Sequence, residues 1–301
     1  LATRIPAAGG INLADSPCIK CGQCSAHCPT GAIVEYDETQ KVWDMLNDKD
    51  IYTIVQIAPA VRVAIGEEFG FDFGENLTGK TYAALRRMGF KRIFDTNFGA
   101  DLTIIEEANE FVRRFTQEPE SLPMFTSCCP AWVKYLELND PKYLHNISSC
   151  KSPMEMFAAV LRDKYREKDA ADGRRTYHVA IMPCTAKKME AARDEFFHNG
   201  TPDVDLVLTT RELVDMIRET GIHLDELELE SPDLPFGLGS GAAVIYGVTG
   251  GVAESVVRHC LPDKTKNTLR QVRVSGIRGD APIREVTYDV GGTEIKIAVV
   301  N

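Results

Sequence analysis

Cys18, Cys21, Cys24 and Cys28, the last followed by Pro29, stand in a C-x2-C-x2-C-x3-C-P run, and that run constrains this chain more than any other feature. Such spacing wraps thiolates around a cluster of four irons and four sulfides, so the chain handles electrons. In bacterial ferredoxin-type folds the first three cysteines hold one cluster, while the fourth ligates a second cluster completed by a partner run. No partner run is present. Two explanations stand: a solitary-cluster variant in which Cys28 closes its own site, or a chain that begins inside a longer protein. Leu1, which is not an initiator methionine, favours the second.

The 301 residues, 44% of them hydrophobic, suffice for one large or two ordinary domains and can bury a core. The longest apolar stretches, Ile57 to Ile65 and Gly241 to Val248, are too short or too interrupted to cross a bilayer. A net charge of -10 argues against a nucleic-acid binder, which needs clustered Lys and Arg. Nine unevenly spaced cysteines do not read as a secreted disulfide scaffold. Metal ligation in a reducing compartment fits them, hence a cytoplasmic protein.

The turn after Cys28 leads into Ile33 to Tyr36, expected as a short strand flanking the cluster loop, which sets a small iron–sulfur module at about residues 1–40. From residue 41 to 301, strands and helices alternate. Tyr52 to Ile57, Lys91 to Phe94, Pro123 to Thr126, His178 to Met182 and Val204 to Leu208 read as strands. A segment opening at Pro59, and those at Ala100 to Thr116, Pro153 to Tyr165, Lys187 to Phe196, Thr210 to Thr220 and Val252 to His259, read as helices. This alternation predicts an α/β domain with mainly parallel sheets. The last stretch differs: Val272 to Val274, Arg284 to Val290 and Glu294 to Val300, around Gly291 and Gly292, predict a hairpin-like sheet.

Two cysteine motifs fall at strand ends, where the ligand crevice of an open α/β sheet lies. One is Thr126-Ser127-Cys128-Cys129-Pro130; the other is Met182-Pro183-Cys184 followed by Lys187 and Glu190. In each, a strand delivers cysteine into a turn before a helix, where amide dipoles and Lys187 can favour thiolates. Taken singly, each would read equally well as buried apolar cysteine.

Together these motifs resemble the first two signatures of the FeFe hydrogenases. The resemblance extends over Ala58 to Arg62, Gly99 to Thr103, Ser148 to Pro153 and Ser240 to Val252, nearly the whole chain. It implies a two-lobed catalytic domain behind part of a ferredoxin-like module, and an H-cluster. That group is a 4Fe-4S cubane joined through cysteine to a two-iron unit with carbonyl, cyanide and dithiolate ligands, and it interconverts dihydrogen with protons and electrons. By the resemblance, Cys129 and Cys184 are two of four cubane ligands and Cys128 is the proton donor beside the dithiolate. Lys187 would hydrogen-bond a cyanide, and Ala58, Pro59 and Met182 would line the two-iron pocket. A relay would run from Cys128 through Glu107, Ser148 and Glu110, then outward by Arg114 and Glu190. Without the resemblance, Glu107 and Glu110 would read as solvated acids on a surface helix.

The family's third motif, with the remaining two cubane cysteines, should follow Ile295 to Asn301, so these 301 residues furnish half of the cubane shell and the H-cluster stands unassembled unless more chain follows. Expected partners are maturation proteins and electron carriers such as ferredoxin, or NAD-linked or formate-linked iron–sulfur subunits, in an anaerobic, multisubunit setting. Two other classes compete: a non-catalytic iron–sulfur assembly or sensory relative, and a pure electron-transfer subunit. The glycines from Gly237 to Gly241 make a poor dinucleotide loop, because Pro235 stands where the strand should be.

Overall fold

In a computed structural model of the chain, which describes residues 10–261, 276–279, 281–290 and 292–300, the core is a four-stranded sheet. The elements run α1 (Gln23–Ala26), α2 (Thr39–Asn47), β1 (Ile51–Ile57), α3 (Val61–Ala64), α4 (Thr78–Met88), β2 (Arg92–Asp95), α5 (Asn97–Gln117), α6 (Pro130–Asn139) and α7 (Pro153–Ala171). They continue through β3 (Arg175–Met182), α8 (Ala186–Ala191), β4 (Phe197–His198), β5 (Thr201–Pro202), β6 (Leu206–Thr209), α9 (Thr210–Thr220), α10 (Gly241–Val244), α11 (Gly251–Cys260), β7 (Ile283–Val290) and β8 (Thr293–Val300). The sheet order is β2-β1-β3-β6, with every pairing parallel, as the alternating pattern predicts.

Parallel strands covered on both faces bury nearly every residue, and β1 does so. Its side chains alternate between two apolar layers. Val55 and Ile57 pack into a cluster with Leu85 of α4 and Leu213 and Ile217 of α9, whereas Ile54 joins Phe94, Phe157, Leu161 and Tyr165 on the α7 side. Gln56 also faces α7: its amide donates to the Met154 carbonyl at 3.0 Å and its oxygen accepts from Thr96 at 3.0 Å. A capping box starts α9, with Thr209 as the N-cap and Glu212 closing it.

Several expectations need correction. Ile33 to Tyr36 form no strand; Val34 and Tyr36 are 69% and 70% exposed, with neither a neighbouring strand nor a core to hold them. Pro123 to Thr126 contribute a single bridge, Phe125 to Ile147. The helix expected from Lys187 to Phe196 stops at Ala191, where Arg193 turns aside to pair with Glu137 and Glu195, and a short 3-10 turn follows. The segment opening at Pro59 likewise holds one α turn, α3, and a 3-10 turn. Strands β7 and β8 form the expected hairpin, in register from Ile283 with Val300 to Val290 with Thr293. The predicted strand at Val272 to Val274 lies outside the described residues. No helix among them is long and apolar enough to cross a membrane.

Candidate functional site

Three chain segments meet at the carboxyl edge of the sheet. After β1, Ala58 donates its amide to the Ile181 carbonyl at 3.0 Å, which ties the Ala58-Pro59 turn to the end of β3. Directly beyond Ile181 come buried Met182 and then Cys184. Cys129 caps α6 in an extended conformation, with Pro130 in the first helical turn, where its missing N–H costs nothing.

The cysteines of this edge differ in environment. Burial, reinforced by the charge of Glu107, pushes the Cys128 thiol up to about 12, so it keeps its proton. Burial also raises Cys184, against the lowering pull of Lys187 and nearby amides. Lys187 and the amides thus favour the thiolate at Cys184 as expected, but burial outweighs them in the bare protein; a metal that takes the place of the proton would supply the missing stabilisation. Lys187 is largely buried and held charged, since Glu190 outweighs the effect of burial. Its Nζ donates to Glu190 Oε2 at 2.6 Å and to the Cys128 carbonyl at 3.0 Å.

Two acids of α5 are separated by their surroundings, and both are buried, contrary to the surface-helix alternative. Burial raises Glu107 to about 7; the Ser127 amide and Ser148 hydroxyl oppose that rise, yet neither reaches hydrogen-bond geometry with its oxygens. Burial also pushes on Glu110, but Ser148, Arg114 and the Ser149 amide outweigh it and hold this carboxyl below its ordinary range. Ser148 donates to Glu110 Oε2 at 2.8 Å, and Arg114 donates to Oε1 at 2.7 and 3.0 Å. A neutral acid beside an ionised one is an arrangement that can accept and pass a proton.

Ser148, Glu110 and Arg114 thus form one hydrogen-bonded chain, with Glu107 and Cys128 adjoining it. Glu190, expected at its outer end, makes no hydrogen bond to it. One helical turn from Lys187, it pairs there, while the Arg114 guanidinium is taken up by Glu110 and the carbonyls of His145 and Ile147. A cavity of about 330 Å³, lined in part by Ser148, Cys150, Lys151, Glu190 and Arg193, lies between the two groups.

The N-terminal run also suits a metal cluster. The Thr30 hydroxyl, 3.5 Å from the sulfur, and the nearby Ile33 and Thr30 amides lower the Cys28 thiol to about 7, and the Lys20 amide points at Cys18 Sγ at 3.4 Å. Among the described residues no three His, Cys, Asp or Glu side chains converge as ligands of a single ion would.

Two groups here escape a sequence reading. Glu155 is fully buried with both carboxyl oxygens unpartnered, and burial, then the charge of Glu190, raises it to about 8. Its spacing from Ser152 mimics a capping box, which disguises it as a helix-start residue; Ser152 does cap, but the carboxyl does not return the bond. Tyr246 has a buried hydroxyl without a hydrogen-bond partner, and burial, then the charges of Glu107 and Cys128, raise its pKa. No sequence signal marks it.

A family model described as "Iron only hydrogenase large subunit, C-terminal domain" matches residues 51–301, and a "4Fe-4S binding domain" model matches residues 15–34. The NADP-reducing hydrogenase subunit HndD of Solidesulfovibrio fructosivorans is 44% identical over 97% of this chain, which spans 51% of that relative's length. The periplasmic [Fe] hydrogenase large subunit of Nitratidesulfovibrio vulgaris is 43% identical over 97% of the chain and 77% of its own length. Cytosolic iron–sulfur assembly component 3 of Mus musculus is 30% identical over 91% of the chain and 60% of its own. The apo [FeFe]-hydrogenase HydA1 from Chlamydomonas reinhardtii, in a cysteine-to-histidine variant, superposes with a TM-score of 0.69 at 39% identity, covering 84% of this chain and 65% of that one.

Proposed function

The chain belongs to the iron-only hydrogenase large-subunit family, and from that membership we propose that it is the catalytic part of an FeFe hydrogenase. The observation that carries this reading is the buried set beside Cys128: a protonated thiol, a near-neutral acid at Glu107, and the Ser148–Glu110–Arg114 chain. When bound, an H-cluster would supply the open metal site at which dihydrogen is made or split. Cys129 and Cys184 would furnish two of its thiolates, and the thiolates of the run Cys18, Cys21, Cys24 and Cys28 would serve 4Fe-4S cluster chemistry at the module, the first three on one cluster.

The chain's own residues manage the proton and the pocket. Cys128 carries the proton and Glu107 receives it, because a ligated thiolate could not do so. Ser148 and Glu110 move it outward. Lys187 offers a buried ammonium, suited to donating to a compact anion such as cyanide. Ala58, Pro59 and Met182 keep water away. Electron partners of the iron–sulfur and pyridine-nucleotide-linked kind, and a cytoplasmic setting, complete the reading; the relative HndD supports the former and nine free thiols the latter.

The mouse assembly component favours a second reading, an iron–sulfur assembly protein without hydrogen turnover. Such a protein has no need of the buried proton-bearing groups. Anaerobic infrared spectroscopy of the natural full-length chain, matured in its host, separates the two. Iron-bound carbonyl and cyanide stretches that disappear in Cys184→Ala support the hydrogenase. Their absence from iron-loaded protein would remove it.

A further inference from the structure

The loop that carries the N-terminal thiols is fastened to the Cys184 turn through Thr185. It folds back through Lys20 and Gly22, both left-handed, with φ of 60° and 77°. A residue with a Cβ, such as Lys20, persists in that region only where its surroundings hold it. The Lys20 carbonyl accepts a hydrogen bond from Thr185 Oγ1 at 2.8 Å. Gly22 lets the loop lie against the same side chain, since a Cβ there would stand 2.7 Å from Thr185 Oγ1 and 3.4 Å from its methyl. Thr185 directly follows Cys184, Lys20 lies between Cys18 and Cys21, and Gly22 directly follows Cys21. One hydroxyl thus ties the two thiol sets together. Other ties between module and sheet lie further along, where Glu35 accepts from Thr209 and Glu38 pairs with Lys188.

We propose that Thr185 is a positioning residue that fixes the gap between the Cys18–Cys28 cluster and the Cys129/Cys184 site, and through it the rate of electron passage between them. The proposal rests on the preceding functional reading, in which both thiol sets carry clusters. Splitting one dihydrogen yields two protons and two electrons. With clusters bound, each electron leaving the active site would be taken up singly at the Cys18–Cys28 run, and in turnover a one-electron acceptor such as a viologen, left out of the reduction measurement below, would carry it away. Electron tunnelling weakens steeply with separation, so a loop that loosens from Thr185 slows this passage without altering the chemistry at the active site. A site of this kind depends on its supporting contacts as much as on its ligands.

The test uses the natural full-length, cluster-loaded protein and compares Thr185→Val, which keeps the volume and loses the hydroxyl, with Thr185→Ser, which keeps the hydroxyl. Freeze-quench electron paramagnetic resonance follows the rate at which dihydrogen reduces the Cys18–Cys28 cluster. Deuterium–proton isotope exchange, which needs no electron to leave the active site, is measured alongside. Mass-spectrometric amide exchange reports on residues 15–34. In Thr185→Val we expect cluster reduction to slow several-fold, isotope exchange to persist, and amide exchange over residues 15–34 to quicken; Thr185→Ser should restore all three. Unchanged cluster reduction or unchanged amide protection in Thr185→Val overturns the proposal. So does a parallel fall in isotope exchange, which would place the effect of Thr185 on the Cys184 site itself. Absence of isotope exchange in the loaded wild-type protein would instead defeat the hydrogenase reading, and the proposal with it.

Discussion

Replacing Glu155 with glutamine should remove a loss of stability that the wild-type chain suffers as pH rises. The carboxyl is fully buried, neither oxygen has a partner, and its pKa is raised from 4.5 to about 8. A raised acid binds its proton more tightly in the folded state, so folding is unaffected by it below pH 4.5 and is progressively penalised up to about pH 8. At about 1.4 kcal/mol per pH unit the full penalty is on the order of 5 kcal/mol; movement of the carboxylate toward Lys187 trims it, leaving about 3 kcal/mol or more. Anaerobic urea denaturation of the cluster-free chain, followed by the fluorescence of Trp43 and Trp132, measures it at pH 5 and at pH 8.5. Glutamine leaves a buried amide unpaired, a constant offset of about 1–3 kcal/mol that does not vary with pH. The titration of Glu107, present in both proteins, cancels in the comparison. The diagnostic quantity is therefore the gap between the two stability curves, which should shift in favour of Glu155→Gln as pH rises. Parallel curves would refute the reasoning, because they would mean that Glu155 is already ionised and paired in the folded state.

Glu107→Gln cannot take up a proton from Cys128, and hydrogen turnover of the loaded full-length protein should fall by about 10²–10⁴-fold; an amperometric assay that retained most of the activity would exclude Glu107 from the path. Gly99→Ala places a methyl group onto the Pro153 carbonyl and 2.7 Å from Phe157 Cβ, where α5 crosses α7. That overpacking should cost about 1–3 kcal/mol in a thermal melt, and an unchanged melting temperature would show that the helices part freely. Asp169, itself fully buried, accepts from the largely buried Arg92 at 2.7 and 2.8 Å and from Thr176 at 2.6 Å. Asp169→Asn strands the guanidinium and should lower stability by about 3–5 kcal/mol, read as a reduced urea midpoint.

What could be read in the sequence was what depends on local pattern. β1 and β3 announce themselves as apolar runs because a parallel strand covered on both faces admits little else. The capping box of α9 is visible for a similar reason, since its two partners lie three residues apart. The failures are all contextual. Ile33 to Tyr36 has strand composition but no strand beside it. The helix after Lys187 has the right residues to continue, yet Arg193 finds Glu137, 56 residues away in sequence, and the chain turns. At the site, thiol and lysine identities pointed to a metal centre, but the spacing of Glu190 did not disclose the ion pair that it makes with Lys187 one helical turn away on α8. Glu155 and Tyr246 stayed hidden because burial without a partner is a tertiary property, and no spacing records it.

The tie between Ala58 and Ile181 has a consequence for how the molecule comes into being. β1 and β3 are neighbours, with Ile57 opposite Ile181, although everything from α3 to α7 is threaded between them. Joining strands so distant along the chain means closing a long loop before any contact rewards it, so this pairing is a late and slow event in folding. During synthesis, Cys128 and Cys129 emerge well before the strand that delivers Cys184 has been made. The crevice does not exist in the growing polypeptide, and any machinery that loads iron there meets a finished sheet.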